Sequence, residues 1–162
     1  MSTYAYTVPV LVRGLTILSG YMDKAAAFAA ETGTDPAALI GARLAPDMLP
    51  LAGQVQRASD TAKASITRLT GLEAPSFPDT ETTFPELKER IAKTIAFVET
   101  ATPADFEGSD AREIDLRVVT TTGADYPALF MLPNFFFHLA TAHALLRQAG
   151  VAVGKKDYLG IA

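Results

Sequence analysis

The chain contains no cysteine, and only two of its 162 residues are histidine. The first absence removes disulfides, thiolate metal sites and cysteine nucleophiles together, and matches a protein working in the reducing cytoplasm. Charge is also sparse: Asp, Glu, Lys and Arg make up 20% of the residues, the hydrophobic set 49%, and the formal net charge is -4. Lys and Arg occur singly or in pairs, so there is no basic track for a phosphate backbone, and nucleic acid is not an expected partner. Such a composition excludes disorder, and the length suits one domain, residues 1–162, with a substantial core. The opening stretch MSTYAYTVPVLVRGLTILSG has no basic n-region, and Arg13 interrupts its apolar run, so no secretory leader is expected.

Catalytic signatures are missing too. There is no GxSxG elbow and no GxGxxG fingerprint. Gly150, Gly154, Lys155 and Lys156 imitate a phosphate loop, but the spacing is one residue short and no Ser or Thr follows the lysine. Neither histidine has a carboxylate close by in sequence, so a hydrolytic triad has little to build on.

What is present is helical periodicity. From about Val8 to Ala30 the apolar positions Leu11, Leu15, Leu18, Met22 and Ala25 recur at three and four residues, and Gly33 ends the run. Thr34, before Asp35 and Pro36, is placed to cap a short second piece. A second long stripe runs from Met48 through Leu51, Val55, Ala62 and Ile66 to Leu69, stopped by Gly71, with Pro46 and Pro50 confining its start. The proline-rich, polar stretch 72–82 is a linker. Thr83 and Glu86 form a capping box ahead of the stripe Leu87, Ile91, Ile95 and Val98. Between Glu113 and Thr121, Ile114, Leu116 and Val118 alternate with polar residues, which predicts a short strand, as a hairpin or an edge against a partner chain. Thr122 and Asp125 can cap a last helix that runs to Ala149 and stops at Gly150. The tail from Val151 is expected as an extended arm packed through Val151, Val153, Tyr158 and Leu159.

Residues 126 to 146 carry no charge and match the roughly 20 residues that span a bilayer. Pro133, Asn134, His138, Thr141 and His143 would all lie in lipid, and no basic cluster flanks the run, so a buried core helix is expected and no membrane.

Both histidines lie on this last helix. At about 100° per residue, His138 and His143 point roughly 140° apart and cannot share one undistorted ligand site. His138 falls on the buried stripe with Asn134 one turn before it and Thr141 after it; His143 falls nearer Arg147 and Phe136, on a surface or interface side. His138 is therefore a core imidazole bonded to a polar neighbour, or the centre of a small polar pocket. On the second long helix Gln54, Gln56, Lys63, Ser65 and Asp47 edge the buried stripe, with Asp47 placed for the positive end of the helix dipole; Arg57 and Asp60 face outward.

The stretches HLATAHALLRQAG from His138, RLAPDMLPLAGQVQ, TGADY, PNFFFH and GKKDYLG resemble an uncharacterised bacterial branch of the DinB/YfiT-like superfamily. The resemblance covers nearly the whole chain. It implies a four-helix bundle, often dimeric; with the helical stripes and the strand signal of 113–121, the expected fold is an all-α antiparallel four-helix bundle with a short β excursion before the last helix. Better known members of that superfamily hold a divalent metal with three histidines and include thiol transferases. His138 matches the later histidine of the last helix, the earlier one is Asn134 here, and the second long helix has none. An amide oxygen is a weak ligand for zinc or nickel, and one imidazole does not hold such an ion against water. The expectation is a homodimeric small-ligand-binding or interaction protein with a degenerate metal site. Its ligand-binding candidates are Asn134, His138, Gln54, Gln56 and Asp47, with no catalytic residue, metal or cofactor assigned. The alternative is a metal-dependent transferase acting on a small thiol or a detoxification substrate.

Overall fold

The computed structural model describes residues 2–161. Four long helices form the body: α1 (Thr3–Thr32), α3 (Leu51–Thr70), α4 (Phe84–Val98) and α5 (Leu132–Gln148), with the short α2 (Pro36–Ile40) after α1 and α6 (Lys155–Tyr158) at the end. Packing runs in a ring, α1 against α4 and α5, and α3 against the same two. Leu11, Leu15, Leu18 and Met22 of α1 meet Val55 and Ile66 of α3, Leu87 and Ile91 of α4, and Phe135 and Leu139 of α5, all fully buried. The periodic stripes of the sequence are thus the core, which at about 25 cal/mol per Å² of buried apolar surface is the main favourable term.

Helix ends follow local chemistry. The Ser2 side chain caps α1, which begins five residues before the expected start at Val8 and carries Pro9 inside it. Pro9 removes the bond to the Ala5 carbonyl, a tolerable loss because Pro9 is exposed and water can serve that oxygen. Asp35, not Thr34, caps α2, accepting from Ala37 N at 2.9 Å. Thr83 and Glu86 close the expected box at α4, and Gly71, at φ 84°, stops α3 through a 2.8 Å bond to the Thr67 carbonyl.

The predicted strand is a two-stranded antiparallel hairpin, β1 (Glu113–Asp115) with β2 (Thr120–Thr122), pairing Ile114 with Thr121. Its alternation ends early: Ile114 is buried, but Val118 sits at the tip, 87% exposed. Arg117, at φ 67°, turns the chain there, its N–H held by Asp115 Oδ1 at 2.7 Å. A π-helical turn, Pro127–Met131, leads directly into α5. Of the expected extended arm, Val151 and Val153 are buried, but the rest coils into α6, because Asp157 folds back to accept from Gly154 N at 2.7 Å and pairs with Lys24. The rod from Pro127 to Gln148 is the one helix among the described residues long and apolar enough to cross a membrane, and 44% of its most apolar window is buried in the bundle.

Candidate functional site

His138 faces α3, as the wheel predicts. Its Nδ1 lies 2.8 Å from Gln54 Oε1, and both side chains are buried. Gln54 is oriented from its other end, where Nε2 donates to the Leu49 carbonyl at 3.0 Å. The amide oxygen therefore faces the ring, and the imidazole proton must sit on Nδ1. Nε2 keeps a lone pair that no described residue bonds. Burial, and after it the positive charge of Arg57, hold the His138 pKa below its usual 6.5. The ring is neutral at physiological pH. Phe137, 55% exposed, lies edge-on to it at 5.3 Å between centroids, and Leu49, whose carbonyl takes Gln54, is 44% exposed, so exposed apolar side chains neighbour the His138–Gln54 pair.

The other candidates do not all join it. Asn134 lies one turn before His138 but donates to Thr61 Oγ1 at 2.7 Å, so it ties α5 to α3 without touching the ring. Gln56 turns away, donating to Glu81 Oε2 in the linker at 2.9 Å; two residues from Gln54 is about 200° around a helix. Asp47 is exposed in the loop before α3, which starts only at Leu51 and has no acidic residue in its first turn. The dipole role expected of Asp47 fails because the chain between Pro46 and Pro50 stays non-helical and Leu51 N bonds the Ala42 carbonyl instead. The hollow described below is not lined by Gln54, Asn134 or His138.

His143 is half-buried on the α1 side. Its Nδ1 is 2.8 Å from the Tyr21 hydroxyl, and its ring meets that of Tyr158 edge-on at 5.9 Å. Burial above all, with Asp157 and Tyr158 adding, pushes the Tyr21 pKa far up, so that hydroxyl is the donor and the His143 proton sits on Nε2. Burial lowers the His143 pKa as well, Asp157 opposing and Arg147 assisting. The expected interface position of His143 is a contact with α1 and α6 of its own chain.

A charged cluster was missed. Arg57 and Asp60 do not simply face solvent: Arg57 pairs with Asp60 at 2.9 Å and also with Asp79, while Asp60 takes Lys63 at 3.2 Å and Arg90 at 3.0 Å. Arg90 is 2% exposed and also reaches Asp79 at 3.0 Å and Glu81 at 2.9 Å. Lys63, buried, donates to the Pro75 carbonyl at 3.1 Å and lies 4.2 Å over the Phe77 ring. These groups strap the 72–82 linker across α3 and α4. The signal lay in the sequence, since position 90 falls between Leu87 and Thr94 on a buried stripe, where a guanidinium demands partners.

An ion would need more donors than His138 offers. Its Nδ1 is engaged by an amide, the facing position on α3 is Gln54, and Asn134 is committed to Thr61. Among the described residues no group of three or more His, Asp and Glu side chains is placed to hold a metal. The three-histidine arrangement of the wider superfamily does not fit these residues.

A four-helix bundle with a β-hairpin before its last helix and a single inward imidazole is a DinB-type frame without that frame's metal ligands. A crystal structure of a DinB family member protein from Shewanella denitrificans superposes with a TM-score of 0.93 at 41% identity, covering 97% of this chain and 91% of that one. The chain belongs to the family described as a domain of unknown function, DUF1993, which it matches over residues 3–159. No curated protein matches it.

Proposed function

We propose that the chain is a cytoplasmic, homodimeric binding or interaction protein in which the superfamily's metal position is reduced to one neutral imidazole. The observation that carries this reading is the His138–Gln54 pair: the ring is locked as the Nδ1–H tautomer by an amide, which leaves a single Nε2 lone pair without a partner among the described residues. One unpartnered acceptor beside apolar side chains suits a partner that donates one hydrogen bond and covers hydrocarbon. The outer side of the last helix supports a second copy as that partner. Leu129, 69% exposed, Pro133 and Phe137, 55% exposed, follow one another at four-residue spacing on a rod with no charge before Arg147. A patch repeated on an identical subunit is self-complementary about a two-fold axis.

Protein purified without a histidine tag, as the wild type and as His138→Ala, is assayed for bound metal and titrated with zinc and nickel. The expected result is sub-stoichiometric metal in both and no change in affinity between them. Stoichiometric metal lost in the variant would overturn the reading and favour a metal-dependent transferase acting on a small thiol. Sedimentation of wild type and Phe137→Asp tests the dimer: the variant should be monomeric with an unchanged melting temperature. A monomeric wild type refutes that part.

A further inference from the structure

An apolar hollow lies away from His138, where α1, α5 and α6 meet. It measures about 380 Å³ and is lined by Pro9, Val10, Arg13, Gly14 and Ile17 of α1, Phe136 of α5, and Tyr158 and Leu159 at the chain's end. Phe136 and His138 are two residues apart on one helix, about 200° around it, so the hollow and the imidazole occupy opposite faces. The size is within the roughly 300–1,000 Å³ of small-molecule sites. Its walls are hydrocarbon and aromatic, except at the rim.

One charged group sits at that rim. The Arg13 guanidinium donates from Nη2 to the Leu159 carbonyl, which fixes its position over the chain's end. That uses one of five donors, and no carboxylate among the described residues pairs with it. The Tyr158 ring, edge-on to His143, is part of the apolar wall. A guanidinium with free N–H groups above an apolar hollow complements an anion attached to hydrocarbon.

We propose that this hollow binds a small carboxylic acid with an apolar body, its carboxylate on Arg13 and its hydrocarbon against Val10, Ile17 and Phe136. An ammonium would meet a like charge at the rim, and a neutral alcohol would leave the guanidinium without an anion. Selectivity for the acid over both follows. The site is independent of His138, so neither the metal assay nor the dimer assay bears on it.

The test uses sodium octanoate, 1-octanol and octylamine as probes, titrated by calorimetry into wild type, Arg13→Gln and Val10→Phe, with the amide resonances of Gly14 and Ile17 followed by NMR. The expected result is saturable octanoate binding that shifts both resonances, and binding of the other two probes weaker by about tenfold or more, the worth of a charge-assisted bond. Arg13→Gln should lose about the same factor. Val10→Phe fills the hollow while leaving the Arg13 bond to the Leu159 carbonyl in place, and should abolish binding with the fold intact, which keeps the test valid if Arg13→Gln loosens α6. Equal affinity for acid and alcohol, or octanoate binding unchanged in Val10→Phe, overturns the proposal. So does an absence of octanoate binding to the wild type; with a changed oligomeric mass in Val10→Phe as well, the hollow would be a contact between copies.

Discussion

Replacing Gln54 by Met isolates the bond on which the site rests. Methionine is unbranched and of similar length, so the 2% exposed side chain is exchanged for one that fills the space without its polar atoms. Two hydrogen bonds go, the 2.8 Å bond with His138 Nδ1 and the 3.0 Å bond to the Leu49 carbonyl. The second is cheap, because Leu49 is 44% exposed and water can replace the amide. The first leaves a buried ring nitrogen without a partner, which costs about 1–3 kcal/mol. For a chain of this length that is a fall in melting temperature of about 2–4 °C per kcal/mol. His138→Met should cost a similar amount by stranding the amide oxygen, and the double variant should cost less than the sum, with a coupling of about 1 kcal/mol. Urea unfolding of the four proteins, with unchanged m, measures the cycle. The pH dependence adds a second readout. The folded His138 pKa lies below its ordinary 6.5, so the unfolded chain binds more protons between the two values. The stability of the neutral buried ring is complete above about pH 6.5, falls as pH drops toward the lowered folded value, and His138→Met should flatten that slope. What remains of the slope in this window belongs to His143, lowered likewise. Additive single effects, or an unaltered pH slope in His138→Met, would refute the pair.

Gly14→Ala should destabilise by about 1–3 kcal/mol, seen as a lower urea midpoint, because the new Cβ would stand 2.3 Å from Phe135 Cε1 and that ring is fully buried with no room to move. Arg90→Met should cost about 2 kcal/mol, less than a fully buried pair would, since Asp60 and Asp79 are 36% and 44% exposed and can rehydrate; limited proteolysis should then cut faster within 72–82. Burial alone would raise the Glu81 pKa, but hydrogen bonds from Gln56 and Arg90 outweigh it and hold the carboxyl below its ordinary value. Its contribution is present above that ordinary value and lost as pH falls through the lowered one, so Glu81→Gln should weaken the acid dependence of unfolding near pH 4.

Much of this architecture is local chemistry, and so was legible in sequence. Spacings of three and four mark the buried faces, Thr83 with Glu86 and Gly71 mark helix ends, and the linker shows its prolines. The inward direction of His138 follows from the same arithmetic, because a residue's angle on its own helix needs no knowledge of its neighbours. The choice of partner does need it. Asn134 and Gln54 were equal candidates for the ring until the relative height of α3 and α5 gave Gln54 to His138 and Thr61 to Asn134. Distant chain segments likewise decided that Gln56 and Arg90 grip the linker, that His143 meets Tyr21, and that the tail coils to roof a hollow above α1. A helix phase repeats every few residues and is written into the residues themselves. The register of one rod against another is a collective outcome of packing, and a side chain's hydrogen bonds depend on that register to within an ångström.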